Sequence, residues 1–311
     1  MVIVADKRGQ TDGAMHNLAL RVNSPIPILL ISRPDGFEFN EKVLELAGKP
    51  YIIWDVVEYG YDALMPYNHY FGVNTGDFSR LFSGEAWSRL DDFIASNKPA
   101  GYFKRELLDD IHLHGVFPLA YPAQNDIPPV QTKEEFDSRP LEVFFNWGLS
   151  HEYRKTLHGE IWQQAGKHGY VVCDNPFYLS GFIENESNPH RWATIWTPHY
   201  FRQPIESVIG LNGMAKISIS MPGAGKVCFR HTEAPLNAVM LMQEDGIRWS
   251  YPWIHNYNCL KCEQGKEIET IMEALKNPNL YGIYLAGREN CRKYQTHNYI
   301  DDYINPIINS L

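Results

Sequence analysis

The residue types best suited to anion chemistry lie in one short segment, "SMPGAGKVCFRHTEAP", at residues 220–235. Gly223 and Gly225 would allow backbone N–H groups to approach an anion closely, while Lys226 and Arg230 supply positive charge. An arginine can also hold a phosphate through two parallel hydrogen bonds. The pattern therefore indicates a loop that binds phosphate groups.

The segment differs from the ATP-binding Walker loop, G-x-x-x-x-G-K-[ST], at two of the four fixed positions of that motif. Ser220 stands where the first glycine belongs, and Val227 stands where the hydroxyl that binds magnesium belongs. A kinase or ATPase is therefore disfavoured, and we keep it only as a third hypothesis.

Glu233 follows Arg230 by three residues and would share a face with it if the turn is helical. A carboxylate in this position can accept hydrogen bonds from both hydroxyls of a ribose, so the loop would bind a nucleotide and not phosphate alone. The residue types fit a surface turn with an Arg230–Glu233 ion pair equally well, and this alternative stays open.

Strand-like and helix-like segments alternate in the first 60 residues, which predicts an α/β domain in the first half of the chain. The apolar runs "MVIVAD", "PIPILLIS" and "PYIIWDVVEYG" read as strands and alternate with helix-like segments. Nearly continuous apolar strands are typical of a parallel sheet that is covered on both faces. Further along, "YFKRELLDDIHLHG" has the pattern of a helix.

A proline-rich polar stretch, residues 118–140, separates this half from a second one. Proline removes backbone donors and disfavours helix, so we predict a domain boundary near residue 138. Strand-like runs then return at "LEVFFNWG", "YVVCD" and "AKISISMPG". The predicted domains are residues 1–138 and 139–311, with a C-terminal tail able to pack back on the first domain.

The composition limits the classes of function. Over 311 residues the net charge is -9, which disfavours a nucleic-acid partner. We expect no secretory signal and no membrane-spanning helix, since no run of about 18 apolar residues occurs. Five scattered cysteines suit a reducing compartment, so a cytoplasmic location is expected. The single C-x-x-C at Cys259 and Cys262 lacks further zinc ligands at matching spacing, and no metal site is predicted.

Two segments carry a resemblance to a known family. Residues 143–154, "VFFNWGLSHEYR", resemble the strand, glycine-containing turn and arginine that open the C-terminal half of exostosin-like glycosyltransferases. Residues 216–242 are similar to that family's segment of strand, Pro-Gly turn, Arg, Glu and helix leading to the next strand, and "GYFKRELL" followed by "VFPLAYPA" resembles the end of its N-terminal half. The resemblance implies an α/β protein of GT-B fold: two Rossmann-like parallel-sheet domains facing a cleft, with the sugar nucleotide mainly on the C-terminal domain.

For this sequence, the resemblance implies that Arg154 and Arg230 lie near the diphosphate of the sugar nucleotide and Glu233 near its ribose. The predicted donor-binding residues are Gly148, Ser150, Arg154, Gly223, Gly225, Lys226, Arg230 and Glu233. After Met242 the sequence, "QEDGIRWSYPWIHNYNCLKC", departs from the family pattern, so the pattern does not predict which sugar is bound.

The implied reaction breaks the bond between an anomeric carbon and a diphosphate, and negative charge grows on the leaving group. Cationic side chains could stabilise that charge without a metal. The base for the acceptor hydroxyl would come from the N-terminal domain, beyond the carboxyl ends of its strands. Glu58 and Asp55 follow the third strand and are the preferred candidates; Asp12 fits a helix cap equally well, and His16 is a weaker candidate.

The leading hypothesis is an inverting, metal-independent hexosyl- or pentosyltransferase. It would use a UDP- or GDP-sugar as donor, need no separate cofactor, and act on a hydroxyl of a glycan, glycolipid or protein. The alternative is a non-catalytic carbohydrate-binding or scaffold protein of the same fold.

Overall fold

A computed structural model gives the architecture of the chain. It describes residues 2–4, 13–31, 46, 48–56, 94–95, 98–123, 127–145, 156–157, 159–161, 163, 172–174, 210, 212–221, 227–243 and 246–311. None of the helices in these ranges is long and apolar enough to cross a membrane.

In the described part of the chain, the first sheet contains five parallel strands that lie side by side in chain order. They are β1 (Val2–Val4), β2 (Ile28–Ile31), β3 (Ile52–Asp55), β4 (Gly101–Arg105) and β5 (Val116–Leu119). Helix α1 (Gly13–Arg21) connects β1 to β2. Strands β3 and β4 are buried along their whole length, as the centre of a covered parallel sheet requires.

The second sheet, as far as the described residues extend, is also parallel and has the spatial order β7-β6-β8-β9-β10. Its strands are β6 (Leu141–Phe145), β7 (Val172–Asp174), β8 (Ala215–Ser220), β9 (Val239–Gln243) and β10 (Leu260–Cys262). The prediction of two α/β units with parallel sheets is therefore confirmed.

Helices cover the sheets and form the C-terminal end of the chain. After α1, the described ones are α2 (Lys133–Asp137), α3 (Arg230–Glu233), α4 (Glu267–Leu275), α5 (Leu280–Arg292), α6 (Thr296–Tyr299) and α7 (Asn305–Ser310), with a 3-10 turn at Ala234–Leu236 and a π-helical turn at Ile300–Ile304. The predicted helix in "YFKRELLDDIHLHG" is wrong, because its first residues form strand β4.

The proline-rich stretch contains a short, well-capped helix. Thr132 and Glu135 form a capping box at the start of α2, in which each side chain accepts a hydrogen bond from the backbone N–H of the other residue. The ring of Phe136 is buried and stacks on Tyr284 of α5, with 5.1 Å between ring centroids. The stacking holds this stretch against α5, a helix that packs on the second sheet. The domain boundary near residue 138 stays a prediction.

The C-terminal helices pack against the first sheet. One hydrophobic cluster includes Trp54 and Phe103 from that sheet together with Trp249, Tyr294 and Ile304 from the last part of the chain. A second cluster fills the space between the second sheet and helices α4 and α5. The chain thus returns to its first sheet after completing the second.

Tyr299 makes a buried polar contact between the C-terminal part of the chain and the first sheet. We expect Tyr299→Phe to destabilise the protein by about 1–3 kcal/mol. Its hydroxyl accepts a hydrogen bond from the N–H of Ala120 at 3.0 Å and lies 2.6 Å from Ser250 Oγ. Removing the hydroxyl leaves a buried N–H without this acceptor. Urea unfolding measures the effect, and Tyr257→Phe is the control because its side chain is 63% exposed. Equal unfolding midpoints for the two variants would contradict the assigned role.

Candidate functional site

The order of strands in the second sheet reverses between β6 and β8. The chain runs from β6 to β7 on one side, and then places β8 on the other side of β6. Phe145 of β6 pairs in register with Ile219 of β8, so both strands end at the same edge of the sheet. In open α/β sheets, ligands bind beyond the carboxyl ends of the strands at such a reversal.

The two segments predicted to bind the donor leave these two strands. Residues 148–154 follow β6, and residues 222–226 follow β8. Gly148, Ser150, Arg154, Gly223, Gly225 and Lys226 lie outside the described residues. The described strand ends that precede these segments lie next to each other, because Phe145 of β6 pairs with Ile219 of β8.

The described chain resumes at Val227 and forms helix α3. The Thr232 hydroxyl donates to the Phe229 carbonyl at 2.9 Å, and the helix gives way to a 3-10 turn where Pro235 occupies one of the first positions. The Arg230 guanidinium lies 5.4 Å from the centroid of the Phe229 ring, which is half-exposed. The loop therefore ends in a cationic side chain beside an exposed aromatic ring.

Glu233, at the end of α3, lies in a desolvated position. Burial raises the pKa of its carboxyl to about 7; the positive charge of Arg230 opposes the increase, and the neighbouring Cys228 adds to it. Its side chain is half-buried, and the neighbouring Val227, His231 and Thr232 are buried. The residues that follow the loop are therefore partly covered, and the alternative of a surface turn with an Arg230–Glu233 ion pair stays open.

The end of the loop contacts the first domain directly. The N–H of Val227 donates to Glu106 Oε1 at 2.9 Å, and Glu106 immediately follows β4. Glu106 is buried and has a φ of 61°, a backbone conformation that residues other than glycine rarely adopt. Tyr121, whose hydroxyl accepts from Arg105, meets the Phe229 ring edge-on at 6.4 Å between centroids.

Residues 246–250 make a second connection between the two halves. The N–H of Arg248 donates to the Leu107 carbonyl at 2.7 Å, and the N–H of Asp109 donates to the Gly246 carbonyl at 2.9 Å. Ser250 Oγ then donates to the Pro118 carbonyl at 3.1 Å. Residues 246–250 therefore cross from the second sheet to the first.

Asp55 is fully buried at the end of β3. Its Oδ2 accepts a hydrogen bond from the Tyr102 hydroxyl at 2.7 Å and lies 3.2 Å from Lys104 Nζ. These contacts compensate the charge of the carboxylate and hold it in place. Glu58 and Asp12 lie outside the described residues, and His16 is half-buried on α1. The identity of the base stays a prediction.

Sequence reasoning missed Glu106, Lys104 and Tyr102. Their only visible signal is the "GYFKRE" run, where charged residues end an apolar segment. Among the described side chains, no group of three or more His, Cys, Asp or Glu residues is arranged to hold a metal ion. Cys259 and Cys262 are buried at β10.

Comparison with solved structures identifies the fold. TarM matches with a TM-score of 0.54 and 13% identity over 95% of this chain and 57% of that chain. The GtfA/B complex matches with a TM-score of 0.58 and 9% identity over 95% of this chain and 59% of that chain. A variant of S. aureus TarM matches with a TM-score of 0.52 and 12% identity over 95% of this chain and 58% of that chain. That structure is a complex with fondaparinux, alpha-GlcNAc-glycerol and UDP.

This chain thus spans between 57% and 59% of the length of these solved structures. No family model matches the sequence, and no curated protein matches it. The structural neighbours are glycosyltransferases of the GT-B class, and both sheets of this chain take part in the match. The chain therefore has the GT-B fold that its sequence predicts.

Proposed function

We propose that this protein is a glycosyltransferase that moves a sugar from a nucleotide-diphosphate sugar to a hydroxyl acceptor. The observation that carries the proposal is the reversal of strand order at β6 and β8. In the sequence, the two segments predicted to bind the donor follow these two strands, and the second segment is followed by Arg230 and Glu233.

The donor's diphosphate would lie beyond β6 and β8, and its ribose would lie beside α3. In this proposal Arg154, Lys226 and Arg230 stabilise the charge that develops on the departing nucleoside diphosphate, so that no metal is required. The ionised carboxylate of Glu233 accepts hydrogen bonds from the ribose hydroxyls. The TarM variant crystallised with UDP supports a UDP-sugar as donor; a GDP-sugar is the other choice.

The acceptor would approach from the first domain. The complex of the TarM variant with fondaparinux and alpha-GlcNAc-glycerol supports a carbohydrate or glycoconjugate acceptor. The resemblance to exostosin-like enzymes favours inversion at the anomeric carbon. Glu58 and Asp55 are the preferred candidates for the base, and Asp12 is the less favoured one. A cytoplasmic location remains part of the proposal, on the composition alone.

The alternative is a carbohydrate-binding or scaffold protein that keeps the fold without catalysis. The observation that favours it is the buried Asp55, whose charge Lys104 already compensates. Such a protein would bind a nucleotide sugar or glycan but would release no nucleoside diphosphate.

Turnover distinguishes the two. The full chain is incubated with a panel of UDP- and GDP-sugars, with and without carbohydrate acceptors, and release of UDP or GDP is measured. The proposal predicts release that depends on Arg230. Binding of a nucleotide sugar without any release would favour the non-catalytic protein, and the absence of both would reject the donor site. NMR of the product's anomeric configuration tests inversion.

A further inference from the structure

Cys228 differs in exposure from the other cysteines whose side chains the structure describes. Of the four cysteines whose side chains the structure describes, Cys228 is partly exposed, whereas Cys259, Cys262 and Cys291 are buried. It lies two residues beyond the 222–226 loop and two residues before the first residue of α3. Of these four cysteines, Cys228 is therefore the one with the most exposed surface.

A buried histidine lies beside the sulfur. His231 Nδ1 is 3.4 Å from Cys228 Sγ, and the ring has almost no exposed surface. The ring also packs against Trp249, with 5.3 Å between ring centroids. The imidazole is thus fixed within reach of the thiol proton.

The backbone of Cys228 serves the ring in both of its protonation states. In the neutral ring, Nδ1 accepts a hydrogen bond from the Cys228 N–H at 3.2 Å. When Nδ1 carries a proton, the contact with the Cys228 N–H is lost, and Nδ1 can instead donate a hydrogen bond to the Cys228 carbonyl, 3.1 Å away. Proton transfer from the thiol to the imidazole therefore leaves the ring with a hydrogen-bond partner.

We propose that Cys228 and His231 form a thiol–imidazole pair that makes Cys228 a preferred site of reaction with soft electrophiles. The thiolate is the nucleophilic form of cysteine, and a neighbouring imidazole favours it. With iodoacetamide, the proton of Sγ passes to His231, a sulfur–carbon bond forms, the carbon–iodine bond breaks, and iodide leaves. The product is a thioether, and His231 returns its proton to solvent.

The position of the pair connects it to the site. Cys228 Sγ lies 3.8 Å from Ser220 Oγ, at the carboxyl end of β8 where the strand order reverses. An adduct on Cys228 would add bulk next to this end of β8, where the chain leads into residues 222–226. This consequence, that modification and nucleotide binding exclude one another, rests on the proposed function; the reactivity of the thiol does not.

Alkylation rates test the pair. The native full chain is treated with iodoacetamide at pH 7, and mass spectrometry of tryptic peptides follows each cysteine, including Cys173 of β7. We expect Cys228 to react about tenfold faster than N-acetylcysteine under the same conditions, because an ordinary thiol is only a few per cent ionised at this pH. His231→Asn keeps an oxygen that can accept from the Cys228 N–H but cannot take up a proton, and it should slow the reaction about tenfold.

The outcomes are distinct. A rate for Cys228 no faster than that of N-acetylcysteine would overturn the proposal even if His231→Asn failed to fold, and so would an unchanged rate in a folded His231→Asn variant. Saturating UDP should slow alkylation of Cys228 at least about tenfold. If UDP binds without slowing it, the link to the nucleotide site is wrong. If UDP does not bind while Cys228 still reacts fast, the thiol pair stands and the proposed function fails.

Discussion

Replacing Arg230 with alanine is expected to lower the affinity for UDP by about 100-fold. Charge-assisted hydrogen bonds to phosphate contribute about 1.5–3 kcal/mol, and an arginine can make two of them in parallel. Arg230 follows the loop at the end of β8 and begins helix α3, so its guanidinium is the described cation nearest in sequence to the proposed diphosphate site. Isothermal titration calorimetry with UDP and GDP measures the change.

Two variants separate the loss of this contact from a general loss of charge. Arg230→Lys keeps the charge but loses the planar fork, and we expect an affinity between those of the wild type and Arg230→Ala. Arg292→Ala removes a surface arginine whose partner is the exposed Glu289, and UDP affinity should not change. Equal affinities for wild type and Arg230→Ala would remove Arg230 from the donor site.

The affinity for UDP is also expected to rise about tenfold between pH 6 and pH 8 through Glu233. The carboxyl has a pKa raised to about 7 by burial, so the free protein is mostly protonated there at pH 6 and mostly ionised at pH 8. Only the ionised form accepts both ribose hydroxyls without first losing a proton. Binding therefore costs more at the lower pH, and the affinity increases as the pH rises through about 7.

Glu233→Gln is the matched variant for this prediction. It should bind UDP about 30-fold more weakly than wild type at pH 8, since a charge-assisted contact to the ribose is lost. The terminal phosphate of UDP titrates near pH 6 as well, and the variant retains that contribution. The pH dependence of UDP affinity in Glu233→Gln is subtracted from that of the wild type, and the difference is the contribution of Glu233. Parallel plots of UDP affinity against pH for wild type and Glu233→Gln would contradict the assigned role. The same holds if the two proteins show the same ratio of affinities for UDP and 2′-deoxy-UDP.

The sequence predicts the architecture of this protein well because the signals for it are local. Apolar runs of strand length, such as "PIPILLIS", predict strands that are buried between covering layers. A new series of such runs begins at "LEVFFNWG" and predicts a second sheet. The reversal of strand order at β6 and β8 depends on pairing between residues about 70 positions apart. No local pattern contains that information.

Strand β4 shows why one element was missed. Lys104 and Arg105 give "YFKRELL" the appearance of an amphipathic helix, yet both side chains are buried in the sheet. Lys104 pairs with Asp55, 49 residues earlier, and Arg105 donates to Tyr121. A buried charge is tolerated when a partner compensates it, and the sequence around β4 does not reveal these partners.

The contacts between the two halves were equally hidden. Glu106 reaches Val227 across 121 residues, from a backbone conformation that its residue type does not suggest. Residues 246–250 contact Leu107 and Asp109 through backbone hydrogen bonds, and such contacts leave no pattern of residue types in the sequence. The base for an acceptor hydroxyl has no comparable signal, and Glu58, Asp55 and Asp12 stay candidates.

The most direct test of this account is a crystal structure of the full chain with bound UDP. The account predicts that the diphosphate lies beyond the carboxyl ends of β6 and β8, in contact with Arg230, and that the ribose hydroxyls face Glu233. A diphosphate bound at the first sheet, or on an outer surface away from both strand ends, would contradict it.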